Sequence, residues 1–142
     1  MKLEAIMADS RLLEKILFIN KHKQERLSAV LAKLNAEQAE VALKIQQNQQ
    51  NIDALGQQIV SYKQNAYQEK LTNTKIGVIE VRKINYDMDQ LRLDLENAHK
   101  YQTSLSEEYK NFDNLIAAEQ AKIKALLIKE AKFEHIMDSY VA

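Results

Sequence analysis

The sequence contains no cysteine, no proline and no tryptophan, and its 142 residues include only two glycines and three phenylalanines. Without cysteine, the chain can form neither a disulfide framework nor a thiolate metal site. Without proline, and with so few glycines and aromatic residues, it lacks the turn residues and bulky core residues of a compact fold with several layers. These absences favour a long helical structure.

The chain also lacks an excess of either charge, because 20 lysines and arginines balance 20 aspartates and glutamates. No overall field would attract nucleic acid or an anionic membrane, so we expect no nucleic-acid partner. No run approaches the ~20 apolar residues that span a bilayer, so we expect no stable membrane insertion. The first residues lack the apolar segment of roughly 7 to 15 residues found in secretory signals. We therefore predict a cytoplasmic location.

Two long stretches carry apolar residues at alternating steps of four and three, one from Leu27 to Ala66 and one from Ile84 to Tyr140. A seam sustained over so many heptads is typical of a coiled coil, since the apolar stripe of a helix on a globular core is broader and shorter. Gln38 and Asn48 interrupt the first seam. Such amides either fix the register of paired helices or are tolerated at a hydrated seam, and the sequence leaves both interpretations open.

The residues between the two seams predict a bend. Thr72, Asn73 and Thr74 have short polar side chains that compete with the helical backbone for hydrogen bonds, and Gly77 tolerates backbone angles that a helix interior excludes. If the chain folds back here, residue i of the first stretch faces a residue near 147 minus i in the second. We therefore predict an all-α fold, a long antiparallel two-helix coiled-coil hairpin. The alternative, a parallel homodimer, would have to continue its seam through the bend.

The predicted single domain spans the whole chain. Ser10 or Asp9 is a suitable N-cap for the first helix. The predicted bounds are helix 1 over about 10–71, the bend over about 72–77 and helix 2 over about 78–140.

Apolar residues outside the seam cluster in two segments, 12–19 and 127–136. A two-stranded coiled coil needs apolar side chains only along its seam, so additional ones indicate a partner. The surroundings are basic: residues 11–33 carry a net charge of +4 and residues 122–132 a net charge of +3. The predicted register makes the two segments neighbours at the open end of the hairpin, and we predict a binding site there. The apolar residues outside the seam are Leu12, Ile16, Phe18, Ile19, Leu127, Ile128 and Ile136.

A second apolar cluster follows the bend and consists of Ile76, Val78, Ile79 and Val81. Its β-branched residues suit a strand as well as the start of a helix. The cluster is therefore either an irregular elbow or a second docking site.

Glu96 and His99 are spaced so that they share a helix face, as in di-iron helix bundles. Such a site needs a second pair of this kind and two further carboxylates, which the sequence does not supply, so we interpret the two as an exposed pair. The sequence has no phosphate-binding glycine loop and no nucleophile elbow. A two-helix rod also offers no cleft that excludes water. We predict no catalytic residue, no metal, no cofactor and no enzymatic activity.

The two arms, the short bend and the opening pattern Leu12-Leu13-x-x-Ile16-Leu17-x-x-x-Lys21-x-Lys23-x-x-Arg26 resemble the YscO/FliJ family of type III secretion proteins over nearly the whole chain. The resemblance implies a stalk in the bacterial cytoplasm, at the secretion apparatus. Members of this family insert the joined end of their helices into the hexameric secretion ATPase, and they contact the export gate and escort secretion chaperones. Carried onto this sequence, the inserted end comprises Leu12, Lys15, Ile16, Ile19, Lys23, Lys124, Leu127, Ile128 and Lys132.

Two other functions compete with this one. The chain could be a homo-oligomeric structural coiled coil or a membrane-surface binder that uses the amphipathic segment 11–33. It could also be a prefoldin-like holdase, which has two long helices around a central β-hairpin. That fold needs two strands, whereas only Lys75 to Val81 has the composition of a strand, and the chain has no Asn-Gly or Asp-Gly turn.

Overall fold

The computed structural model describes residues 2–72 and 77–141. They form two helices, α1 (Lys2–Thr72) and α2 (Val78–Val141), and the described residues contain no strand. The two helices pack against each other in antiparallel orientation, which confirms the predicted all-α helical hairpin.

The first helix begins at Lys2 and not near residue 10, so the prediction of Ser10 or Asp9 as N-cap is wrong. Residues 2–7 are Lys, Leu, Glu, Ala, Ile and Met, most of them strong helix formers. The helix therefore continues through the capping residues. Ser10 is half-buried inside it.

The predicted bend lies partly outside the described residues, namely at Asn73, Thr74, Lys75 and Ile76. Thr72 is the last residue of α1, and Gly77 directly precedes α2. The Gly77 carbonyl accepts a hydrogen bond from the Val81 amide at 3.2 Å, so Gly77 caps the N-terminus of α2. No glycine of the described part has a positive φ, so the freedom predicted for Gly77 is not used.

Contacts divide the chain into two units. Unit 1 comprises Met1–Ala39 and Asn111–Ala142, and unit 2 comprises Glu40–Lys110. Each unit contains one segment of α1 and one segment of α2. The binding residues predicted from the two basic segments all belong to unit 1.

The predicted seams are the buried faces of both helices. Every seam position from Leu27 to Ala66 and from Ile84 to Met137 is buried or half-buried. No large side chain of the described residues is completely enclosed, because only two helices meet. The buried apolar residues are Val41, Ile52, Met88, Ala98 and Leu105, all of them in unit 2.

Cross-helix hydrogen bonds give the register within each unit. In unit 1, the Asn20 side-chain amide donates to the Leu126 carbonyl at 2.9 Å, where the predicted register places residue 127 opposite residue 20. In unit 2, the Gln102 amide donates to the Ile45 carbonyl at 3.3 Å, a pair that satisfies the predicted rule. The short bend therefore predicted the pairing to within one residue at these positions.

Asn48 forms a buried polar network in unit 2. Its side-chain amide donates to the Ala98 carbonyl at 2.9 Å and to Gln102 Oε1 at 2.8 Å. These bonds satisfy the amide only when the two helices are paired in this register. They favour a register-fixing role for Asn48 over simple tolerance. Gln38, in unit 1, is half-buried and donates to Asp113 Oδ1 at 2.6 Å.

Gly56 lies inside α1, where glycine weakens a helix, and we expect Gly56→Ala to stabilise the protein. A methyl group at this position would meet nothing within 4 Å, and the residue has no positive φ. The free energy of unfolding should rise by about 0.5 to 1 kcal/mol, measured by urea denaturation. Gly77→Ala is the matched control. Because alanine is a poor N-cap, it should give no gain and a small loss, and equal gains in both variants would contradict this account.

Candidate functional site

One side of the helix pair in unit 1 carries a groove made of two adjacent cavities. The first has a volume of about 430 Å³ and the second about 270 Å³. Lys23 and Leu126 line both cavities, so the two form one continuous surface. We call this surface the basic groove. Its lining residues are Ile16, Ile19, Asn20, Lys23, Arg26, Leu27, Val30, Lys122, Ala125, Leu126, Lys129 and Phe133.

The floor of the basic groove is apolar. The half-buried side chains of Leu27, Leu126 and Phe133 belong to the seam, and Ile16 and Val30 flank it. Asn20 is the polar residue in the floor, and its amide donates to the Leu126 carbonyl. The floor therefore offers mainly apolar contact, and one of the two N–H groups of Asn20 is used in the bond between the helices.

The rim of the basic groove is cationic, with Lys23 and Arg26 on α1 and Lys122 and Lys129 on α2. Among the described residues, no aspartate or glutamate lines either cavity. Lys122 pairs with Glu119 of its own helix at 3.0 Å. The other three cations have no ion pair within 4.0 Å in the part of the chain that the structure describes.

The structure brings three of the predicted binding residues together in the basic groove: Ile16, Ile19 and Lys23. Ile19 is exposed, whereas Ile16 is half-buried and so contributes to the floor. Their spacing along α1 places them on the side of the helix that borders the α2 seam residues Leu126 and Phe133.

The other six predicted residues lie outside the groove lining, and all six are exposed. Lys124 and Leu127 each lie two residues from a groove residue, Lys122 and Lys129 respectively. Two residues turn an α-helix by about 200°, so Lys124 and Leu127 face the opposite side. The six residues are Leu12, Lys15, Lys124, Leu127, Ile128 and Lys132.

The second predicted docking cluster is only partly described, because Ile76 lies outside the described residues. Val78, Ile79 and Val81 are helical and not part of a strand. Val78 and Ile79 are exposed, whereas Val81 is half-buried beside Ile84. Two of the four predicted residues are therefore available on the surface at this position.

Sequence reasoning missed Arg26, Val30, Lys122 and Lys129 as neighbours of the predicted residues. The sequence pattern that could have identified these four residues is their position, since each of them directly precedes a seam residue. In both helices these flanking positions lie on the same side of the seam, and they contain Ile16, Lys23, Val30, Lys122, Lys129 and Ile136. Asn20 was missed as well, although the seam extended backward from Leu27 passes through it.

The described residues contain no group of three histidine, aspartate or glutamate side chains placed to bind a metal ion. Glu96 forms an ion pair with Lys100 at 3.3 Å, and His99 lines a separate surface cavity of unit 2. His22 lies 3.9 Å from Glu25 on the same helix. The contacts that the basic groove offers are apolar and cationic.

Neither described helix has a stretch sufficiently long and apolar to cross a bilayer. Comparison of the chain with protein-family models, curated proteins and solved structures gave no match.

Proposed function

We propose that the protein is a non-enzymatic stalk component of a type III secretion system, and that it binds and stimulates the hexameric secretion ATPase through unit 1. One observation carries this proposal. Unit 1 exposes Leu12, Ile19, Leu127 and Ile128 beside several cations, although the pairing of two helices requires neither. The helical hairpin and the sequence resemblance to the YscO/FliJ family support the same function.

The exposed apolar side chains would supply most of the binding energy. Burying them contributes roughly 25 cal/mol per Å² before the costs of association are subtracted. Lys15, Lys124 and Lys132 would mainly accelerate the encounter and orient the two proteins. Stimulation further requires that unit 1 bind the active state of the ATPase more tightly than the inactive one. The chain would thus act by shifting a conformational equilibrium.

Unit 2 would remain accessible to other partners. Val78 and Ile79 are exposed near the start of α2, and we propose them as a contact for the export gate protein or for a secretion chaperone. The protein would then work in the bacterial cytoplasm, beside the secretion apparatus.

The test is ATP hydrolysis by the cognate hexameric ATPase with and without this protein. Leu12→Asp and Leu127→Asp should each abolish stimulation while helicity is retained, because both side chains are at least half exposed, at 57% and 50%. Leu43→Asp, at an equally exposed position in unit 2, is the matched control and should stimulate normally. Lys15→Ala combined with Lys124→Ala should slow association and weaken its salt dependence. A control variant that fails while the unit 1 variants stimulate would refute the assignment.

A membrane-surface function is the second candidate, because Phe18 in the segment 11–33 is 73% exposed. Binding of the full chain to anionic vesicles, lost in Phe18→Asp, would favour it over the stalk function. A holdase of the prefoldin type is disfavoured by the helical conformation of Val78 to Val81, which that function needs as a strand.

A further inference from the structure

We infer that the basic groove of unit 1 binds an amphipathic α-helix of a partner protein, with an apolar stripe that contacts the floor and glutamate or aspartate residues that pair with the rim. This inference does not rest on the ATPase proposal, because among the exposed apolar residues that carry that proposal Ile19 lines the groove, whereas Leu12, Leu127 and Ile128 lie outside its lining.

The dimensions of the groove suit a helix. On α1 the lining runs from Ile16 to Val30, and on α2 it runs from Lys122 to Phe133. At about 1.5 Å per residue, the α1 side is roughly 20 Å long, which corresponds to about four helical turns of an occupant. A third helix in this position would cover the side of the seam that two helices leave open.

The apolar floor of the groove favours a helical backbone in the partner segment that binds there. An extended or irregular peptide would bring unpaired backbone N–H and C=O groups against apolar side chains, at a cost for each buried group without a partner. Asn20, the polar residue in the floor, uses one N–H in its bond to the Leu126 carbonyl and could pair with only a small part of such a backbone. A helix satisfies its own backbone groups internally, so only its side chains would contact the floor.

The cationic rim of the groove favours a partner helix with acidic side chains. Lys23, Arg26 and Lys129 have no ion pair in the described part of the chain, and no carboxylate lines the groove. The opposite flank of the seam is not uniformly cationic, because the positions that directly follow seam residues include Glu14, Lys21, Leu127 and Glu134. The cationic character is therefore specific to the side that carries the groove.

Two other occupants fit less well. An anionic membrane is locally flat and would contact the rim without reaching the half-buried floor. A second copy of this chain would have to supply an acidic helix. Its most suitable segment, 107–119, carries a net charge of −3 but exposes a single large apolar side chain, Leu115, which does not make a stripe along the groove.

The test uses the full chain and a fluorescein-labelled designed peptide of about 18 residues, with leucines on one helical face, glutamates at the flanks and alanine elsewhere. The control peptide has lysine in place of every glutamate. Fluorescence anisotropy should show binding of the acidic peptide at least about tenfold tighter than that of the lysine peptide, and added salt should weaken it.

Variants of the protein locate the binding site. Lys23→Glu combined with Lys129→Glu should weaken binding of the acidic peptide by about tenfold or more and should favour the lysine peptide. Val30→Asp should also weaken binding, because it places a like charge beside the glutamates. The matched control is Arg11→Glu combined with Lys21→Glu, which makes the same change in net charge away from the groove and should alter affinity by less than about twofold.

Four results would overturn the inference. The first is an equal loss of peptide affinity in the groove variants and the control variant, which would mean attraction by net charge alone. The second is no binding of the acidic peptide, and the third is binding of phosphatidylserine vesicles but not of the peptide. The fourth is self-association of the chain that the groove variants abolish and that the peptide does not inhibit.

Discussion

Leu105→Ala should lower the free energy of unfolding by about 2 to 5 kcal/mol. Leu105 is the most buried of the core residues, at 3% exposure, and it lies on the α2 seam of unit 2. Removing its side chain leaves a cavity that only two helices can close, and part of that cavity will fill with water. We therefore expect a loss in the lower half of this range, measured by urea denaturation with helicity followed by circular dichroism.

Leu93→Ala is the matched control for this prediction. Leu93 is a leucine of the same helix and the same unit, and its side chain is 47% exposed. Its truncation should change stability by no more than about 0.5 kcal/mol, the usual range for surface substitutions. Equal losses in the two variants would show that the seam does not lie where the burial pattern places it.

Asn48→Asp should destabilise the protein by about 2 to 4 kcal/mol at neutral pH. The side-chain amide of Asn48 is buried and donates to two oxygens, the Ala98 carbonyl and Gln102 Oε1. An ionised carboxylate cannot donate, so it would face both oxygens without a hydrogen bond. The penalty combines the repulsion between these oxygens with the loss of hydration around the charge.

The loss in Asn48→Asp should depend on pH. Burial and the two facing oxygens raise the pKa of the new carboxyl above its ordinary value of about 3.9, because only the protonated form can donate a hydrogen bond. The native state then binds more protons than the unfolded state, so stability falls as pH rises from about 4. Below that value most of the charge penalty should disappear. Asn48→Leu is the control, and its effect should not vary with pH over this range; a constant loss in Asn48→Asp would contradict the buried-amide network.

The local pairing of the two helices could be predicted from the sequence, because it depends on local periodicity. Alternating steps of four and three determine which side of a helix is apolar, and that side must be covered. Every position of the two predicted seams from Leu27 to Ala66 and from Ile84 to Met137 is accordingly buried or half-buried. The start of α1 at Lys2 could not be predicted in this way, because the capping residues Asp9 and Ser10 suggested a later beginning and helix propensity outweighed them.

The candidate site was only partly predictable. Surplus apolar residues and local charge marked two segments that both contribute to the basic groove, and Ile16, Ile19 and Lys23 line it together. A segment of a helix, however, contains residues on all of its sides, and composition does not separate them. Leu127 and Lys129 are two residues apart in the same basic segment, yet only Lys129 lines the groove.

The sequence alone was sufficient for the helical class, for the seam of each helix and, at Asn20 and Ile45, for a pairing accurate to within one residue. The reason is that two apolar stripes joined by a short bend can cover each other in few ways. The tertiary structure decided which side chains from the two helices meet. Lys23 and Arg26 join Lys122 and Lys129 around one apolar floor only because both helices turn the same flank of their seams toward that side. That grouping depends on how two helices are rotated against each other, and such rotation is set by packing along the whole seam.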